Sequence, residues 1–264
     1  MPQPSIAVIT PVRNGLPYLR EAIERVRAQQ YGELEIVVVD DGSTDGSADA
    51  ARSMGCRLLH TPRVGPAAAR NVGIRATNSE LLLFLDADDL SGPNSLATSV
   101  EALTRIPDAG FAQGWIQNFT ASPDGTPALL TKPYRFINLG SALWRRSVFH
   151  AVGLFDESLR LGEDQDFFMR CWERDVPRVL VDCVMLYYRR HPGNMTHGLK
   201  AAEFGLMRVY RRRIERIRCG EYDPNLPRRV SWPDYLGKSP DPGESDGDAG
   251  VSFDGGPPEI DGLD

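Results

Sequence analysis

Cysteine is scarce in this chain. The four residues, Cys56, Cys171, Cys183 and Cys219, are widely spaced and form no C-x-x-C pair. That spacing argues against a zinc cluster, and the low density fits a reducing compartment. Long apolar runs are missing as well: no stretch approaches the roughly 20 apolar residues needed to cross a bilayer. The start, Met1-Pro2-Gln3-Pro4, has neither the basic region nor the small-residue cleavage site of a signal peptide, so a cytoplasmic protein is expected. The N-x-[ST] matches at Asn118 and Asn194 are then chance. A G-x-G-x-x-G fingerprint is also lacking, which disfavours a dinucleotide dehydrogenase.

Nor is there a basic excess. Net charge is -6, and the segment from Ser231 to Asp264 holds nine acids and one Lys, which leaves residues 1 to 230 at +2. By charge alone, nothing points to nucleic acid. From residue 221 onward the chain is rich in Pro, Gly and Asp with few apolar clusters, so residues 221–264 are expected to form a disordered acidic tail.

What is present is an apolar run that ends abruptly in acids: Leu81-Leu82-Leu83-Phe84-Leu85, then Asp86-Ala87-Asp88-Asp89. Five large apolar residues suit a strand buried on both faces, which places the acids at its C-terminal end, where open α/β sheets bind ligands. Crowded carboxylates call for a cation, and Mg²⁺ or Mn²⁺ is the natural one because both prefer carboxylate oxygens and bridge to phosphates. An isolated D-x-D is more often a solvated turn. A second strand, Leu34 to Val39, also ends in acids, Asp40-Asp41, and is expected to lie beside the first.

Strands at Ser5–Thr10, Leu34–Val39, Arg57–His60 and Leu81–Leu85 alternate with helices after Pro17, Ser47 and Pro66, which predicts a doubly wound, mostly parallel α/β sheet over residues 1–106. From residue 107 the alternation stops. The pattern there predicts a strand at Gly110–Phe119, a turn at Ser122–Gly125, helices over Ala142–Val152 and from Phe167, a strand at Val179–Tyr188, and a helix from Lys200 to Cys219. That last helix carries seven Lys or Arg against two Glu, with an apolar stripe at Met207, Tyr210, Ile214 and Ile217. Its 200–218 stretch reads either as a membrane-surface helix or as one that packs by its stripe and solvates its basic face.

With these motifs in order, residues 5 to about 200 resemble a family 2 glycosyltransferase of the GT-A fold. The resemblance rests on Ile9-Thr10-Pro11-Val12-Arg13-Asn14-Gly15, Val39-Asp40-Asp41-Gly42-Ser43-Thr44-Asp45, Ala69-Arg70-Asn71-Val72-Gly73, Leu85-Asp86-Ala87-Asp88-Asp89 and Gly162-Glu163-Asp164-Gln165-Asp166. It implies a nucleotide-sugar-binding half (1–106) and an acceptor-binding half (107–220). It further implies that Asp41 contacts the base and that Pro11 and Arg13 frame it. Arg70 would lie near the diphosphate, Asp86 and Ala87 beside the ribose or metal-bound water, and Asp88 on the metal, Mn²⁺ or Mg²⁺. Asp164 resembles the general base and Glu163 its neighbour in the acceptor site. His191 is similar to a residue that in some members closes over the metal or diphosphate. The partners implied are a nucleotide sugar, a UDP-sugar first, and a glycan or lipid-linked acceptor, with the protein cytoplasmic or peripheral at the inner membrane face. Helix capping would explain Asp164 in any protein. Two other readings compete: a sugar-phosphate nucleotidyltransferase, against which stands the single Gly of the loop after strand one, and a non-catalytic nucleotide-sugar binding module.

Overall fold

The computed structural model describes residues 3–121, 126–195 and 206–238. Strands β1 (Ile6–Val12), β2 (Leu34–Asp40), β3 (Arg57–His60) and β4 (Leu81–Phe84) form a parallel block in the order β3-β2-β1-β4. Helices α1 (Leu16–Ala28), α2 (Ser47–Ser53) and α3 (Pro66–Ala76) connect them. Strands with apolar residues at every position must be covered on both faces, and the side chains divide accordingly. Ile6 and Val8 of β1, with Leu81 and Leu83 of β4, point to a core under α1. Ala7, Ile9, Leu82 and Phe84 point to the opposite core under α3. α3 comes very close to the sheet: a Cβ on Gly73 would lie 2.4 Å from Ile9 Cγ2.

The two acid-ended strands are not neighbours, contrary to expectation. β1 lies between β2 and β4, so the end of β1 sits between Asp40-Asp41 and Asp86-Ala87-Asp88. The chain runs outward from β1 through β2 to β3 and then returns to place β4 on the other side of β1. That reversal opens a crevice at the carboxyl ends of β1 and β4, the position where open α/β sheets bind ligands.

Beyond β4 come β5 (Leu90–Ser91), α4 (Ser95–Arg105), β6 (Phe111–Ala121), β7 (Pro127–Leu129), β8 (Ala142–Arg145), α5 (Arg146–Val152), α6 (Glu163–Glu173), β9 (Arg178–Arg189), α7 (Leu206–Arg218) and α8 (Trp232–Leu236). The sheet continues from β4 through β8, β6 and β9 to β5, with antiparallel pairs at β4–β8, β6–β8 and β5–β9. The helix expected over Ala142–Val152 is therefore half strand. Trp144, fully buried, pairs with Leu82 of β4 and Phe111 of β6 and stacks on the Phe111 ring at 4.2 Å. The expected turn at Ser122–Gly125 and the start of the last helix at Lys200 lie outside the described residues.

Two further expectations change. Residues 221–238 are not part of a solvated tail: Tyr222 and Tyr235 are buried, and Tyr235 joins Phe111, Trp144 and Phe168 in the core on the α3 face. Arg178 fastens this segment by donating to the Tyr235 and Asp234 carbonyls at 2.6 and 2.8 Å. The remainder of the expected tail, 239–264, lies outside the described residues. In α7 most of the stripe does not pack, and of its four residues Ile217 alone is half-buried. Met207, Tyr210 and Ile214 are exposed, and the helix docks through Val209 and its arginines.

Replacing Tyr235 by Ala removes a buried ring and should destabilise the fold by about 3–5 kcal/mol. A calorimetric scan should show the midpoint lowered by several degrees, and removing residues 231–264 should lower it at least as far. An unchanged midpoint in either variant would mean that this segment does not close the core.

Candidate active site

At the end of β2, Asp41 is buried and its carboxylate is heavily used. Oδ1 accepts from the Thr61 hydroxyl and the Val64 N–H, both at 2.7 Å, and Oδ2 accepts from Gly65 N–H at 2.8 Å. Two oxygens offer about four acceptor positions, so one remains on Oδ2 for an incoming N–H. The same bonds pin the loop that leads into α3. Asp40, beside it, accepts from Ser43 N–H at 3.2 Å and faces His60 Nδ1 at 3.3 Å.

The loop after β1 is tied to the loop after β2. Asn14 N–H donates to Ser43 Oγ, Thr44 N–H to Asn14 Oδ1, Gly15 N–H to Ser47 Oγ and Leu16 N–H to Asp45 Oδ2, all at 2.8–3.0 Å. Asp45 thus serves the start of α1 and, through Ser47 N–H, the start of α2. Burial pushes its pKa up, but the bonds from Ser47 and Leu16 outweigh this and hold the carboxyl below its ordinary range. Pro11 lies within β1 opposite Val39, while Arg13 is exposed and meets none of the other expected site residues among the described residues.

The acids after β4 divide by role. Asp89 is buried and accepts the Arg189 N–H at 2.9 Å. Burial above all, then the charges of Asp88 and Asp86, raises its pKa well above the ordinary value, against the opposing pull of the Arg189 N–H. Arg189, last in β9, also donates to the Asp88 carbonyl at 2.8 Å, pairs with Glu21 of α1, and lies over the rings of Tyr18 and Phe119. Asp88 is one-third exposed, and its Oδ2 meets His191 Nε2 at 3.0 Å and Asn194 Nδ2 at 3.2 Å. Gly193 N–H donates to His191 Nδ1 at 3.1 Å, so Nε2 is the ring nitrogen turned towards Asp88. Tyr18 packs on the imidazole face at 4.7 Å.

Arg70 projects from the first turns of α3 and is 5% exposed. One arm of its guanidinium holds Asp86 Oδ1 at 2.6 Å and the other Glu163 Oε1 at 2.7 Å. Burial disfavours its charge, yet the two carboxylates more than compensate and raise its pKa further above the ordinary value. Glu163 is the first residue of α6, entered through Gly162 at φ +84°, a conformation that favours glycine. Asn71, next to Arg70, anchors the preceding segment: it exchanges hydrogen bonds with the backbone of Phe155 and donates to Glu157.

Asp164 follows Glu163 and is half-buried. Its Oδ1 accepts the adjacent Gln165 N–H at 2.7 Å, and no side chain caps the helix at Gly162. Burial, then the Glu163 charge, pushes its pKa up to about 7. Asp86, Glu163 and Asp164 share one guanidinium, a surplus of negative charge that a divalent cation would offset. Among the described residues no group of three or more His, Cys, Asp or Glu is arranged to hold a metal by itself. Asp88 with His191 fits the other common arrangement, in which Mg²⁺ or Mn²⁺ takes one or two protein ligands and completes its shell with phosphate oxygens and water.

The sequence profile of Glycosyl transferase family 2 matches residues 7–155. The chain belongs to this family. Among curated relatives, the Bacillus subtilis protein named "Uncharacterized glycosyltransferase EpsJ" is 29% identical over 73% of this chain and 63% of its own length. "Minor teichoic acid biosynthesis protein GgaA" of the same organism is 28% identical over 61% of this chain and 42% of its own. The chain therefore spans less than two thirds of each of these relatives. Among solved structures, S. aureus TarS 1-349 in complex with UDP-GlcNAc superposes with a TM-score of 0.65, covering 83% of this chain and 67% of that one at 19% identity. The mannosyltransferase PcManGT from Pyrobaculum calidifontis, in complex with GDP-Man and Mn²⁺, gives 0.56 over 85% and 67% at 22% identity. At these identities the likeness establishes the fold, GT-A.

In this family 2 chain the structure brings Arg70, Asp86, Glu163 and Asp164 into one cluster and Asp88 and His191 into contact beside it; Arg13 stands apart. Arg189, Tyr18, Glu21, Asn71 and Asn194 also build the site, and sequence reasoning gave none of them a role. Asn71 lies in the Ala69–Gly73 motif and Asn194 in an N-x-[ST] match set aside as chance, whereas Glu21 and Tyr18 lie on α1, where no motif marks them. Replacing Arg70 with Ala leaves Glu163 buried without a counter-charge and should cost about 3–5 kcal/mol. Urea unfolding measures this directly, and a loss indistinguishable from zero would remove Arg70 as the clamp.

Proposed function

We propose that this chain is a metal-dependent inverting glycosyltransferase that moves a sugar from a nucleotide sugar, a UDP-sugar in the first instance, to a hydroxyl of a glycan or lipid-linked glycan. The observation that carries the reading is the Arg70 clamp, because it sets a carboxylate with a pKa near 7, Asp164, beside the acids at the end of β4. A transferase of this kind needs a place for a diphosphate and a proton acceptor within reach of the same sugar. Family membership supports it, as do a GT-A neighbour in complex with UDP-GlcNAc and another in complex with GDP-Man and Mn²⁺.

Asp41, with its one free acceptor position, receives an N–H of the base, in the frame made by Pro11 and Arg13. Asp88 and His191 would hold the cation, Mn²⁺ or Mg²⁺. When bound, that cation offsets the negative charge that grows on the departing nucleoside diphosphate. Asp86 and Ala87 line the ribose side. Arg70, whose two terminal nitrogens are each held by a carboxylate, acts as a positioning residue: it fixes Asp86 towards the donor and Glu163 towards α6. Asp164 takes the proton from the acceptor hydroxyl as its oxygen attacks the anomeric carbon from the face opposite the leaving group, which inverts that centre. A positioned base of this kind contributes about 10² to 10⁴ in rate.

Asp164→Asn should lower kcat by about 10² or more while metal-dependent UDP binding, read by calorimetry, stays intact. A non-catalytic binding module would show no turnover to lose. Because the base must be deprotonated to act, activity should fall as pH drops below about 7 and level off above it. A flat profile between pH 5 and 9 would sink the assignment. Asp88→Ala should remove the difference in UDP affinity with and without Mn²⁺, and an unchanged difference would transfer the metal elsewhere. A screen of nucleotide sugars for hydrolysis and transfer identifies the donor.

A further inference from the structure

α7 is built inside out. Its inward face is charged: Arg216 donates to Glu173 at 2.7 and 3.1 Å and to Asp166 at 3.0 Å, and Arg212 reaches Asp156 at 3.0 Å and Ser158 at 2.7 Å. The acids it meets on α6 are buried to 0% and 2% exposure, so these pairs lie in the seam between the two helices. Val209, on the same side of the helix as Arg212 and Arg216, is fully buried. The opposite face carries Met207, Tyr210 and Ile214, which are 76%, 41% and 47% exposed and follow one another at helical spacing. Arg211 and Arg218, four residues beyond Met207 and Ile214, flank that stripe on one side, with Arg208 further round. All three are exposed and form no ion pair among the described residues. The one acid of the helix, Glu215, is engaged by Arg212.

We propose that this outward face seats the protein on an anionic lipid surface. A helix that turns its apolar side chains to water while its arginines serve the interior needs another partner for those side chains, and the flanking cations select a negatively charged one. Tyr210, with an apolar ring and a polar tip, suits the headgroup level. A second copy of the chain fits less well: pairing two such faces about a two-fold axis would bring Arg211 and Arg218 towards their own copies, and three side chains fall far short of the roughly 800 Å² per partner of a stable interface. α7 is clamped to α6, whose first turn holds Glu163 and Asp164, and Arg212 grips the segment leading into that turn. A lipid seat therefore brings the acceptor side of the cleft near the surface. On the transferase reading given above, this favours an acceptor presented from the membrane.

The test is flotation of the full chain with vesicles of phosphatidylcholine alone or mixed with phosphatidylglycerol, at low and high salt. The unsubstituted chain should float with the mixed vesicles at low salt and much less with the neutral ones. Met207→Glu with Ile214→Glu should reduce association by about tenfold or more. Arg211→Glu with Arg218→Glu should remove the preference for anionic lipid. These side chains are exposed, so the thermal midpoint should hold; Met207→Ser with Ile214→Ser repeats the test more mildly if it does not. No flotation of the unsubstituted chain at low salt, or equal flotation of all variants, overturns the proposal. So does a concentration-dependent dimer in sedimentation that is lost in the Met207→Glu/Ile214→Glu variant while flotation is unchanged, since the face then belongs to a second copy. Flotation needs no turnover, so it stands even if no donor is hydrolysed, and soluble-donor hydrolysis by the Met207→Glu/Ile214→Glu variant should match that of the unsubstituted chain.

Discussion

One guanidinium joins the two halves of this protein. Arg70 belongs to the parallel block, and of the carboxylates it grips, Asp86 hangs from the end of β4 while Glu163 opens a helix more than ninety residues further along the chain. Without a cation between them the buried Glu163 and the half-exposed Asp86 would repel each other, and the hold between the strand end and the helix start would be lost. The arrangement of Asp164 is therefore indirect. Its neighbour is held, Gly162 lets the backbone turn, and Asn71 fixes the approach segment to the same helix that carries Arg70.

The acids of this chain fall into two kinds, and the difference is one of hydrogen-bond saturation. Asp166 and Glu173 spend their oxygens on arginines. Their work is to hold elements together. Asp41 keeps one vacant acceptor position, Asp88 keeps a whole oxygen, and Asp164 gives only one oxygen to its own backbone. Those groups are the ones with capacity left for a ligand. Sequence alone marks all of them as Asp or Glu and cannot separate the classes.

The parallel block was legible because each strand there is an unbroken apolar run closed by a turn signal, and the site acids follow from where such strands end. Strand order was not, since alternation of strands and helices is compatible with either side for β4, and that choice puts β1 between the two acidic ends. β8 was missed because four strand residues run into α5 with no punctuation, so Ala142–Val152 reads as one helix. The segment around α8 looked too polar to pack, yet it delivers Tyr235 to the core beside Phe111, with Trp232 and Leu236 packed against it. α7 misled for a different reason: periodicity detects apolar stripes, whereas the attachment of this helix is set by acids on α6 that its own sequence does not contain.

The close seat of α3 on β1 has an effect on electrostatics that its van der Waals geometry conceals. Gly73 lies one turn beyond Arg70, and its missing side chain lets the helix approach Ile9 more closely than any other residue would permit. A methyl group there would act as a shim. It would lift the helix from the sheet and carry the guanidinium away from the strand end it neutralises, so the reach of a charge is here set by the width of a hydrogen atom.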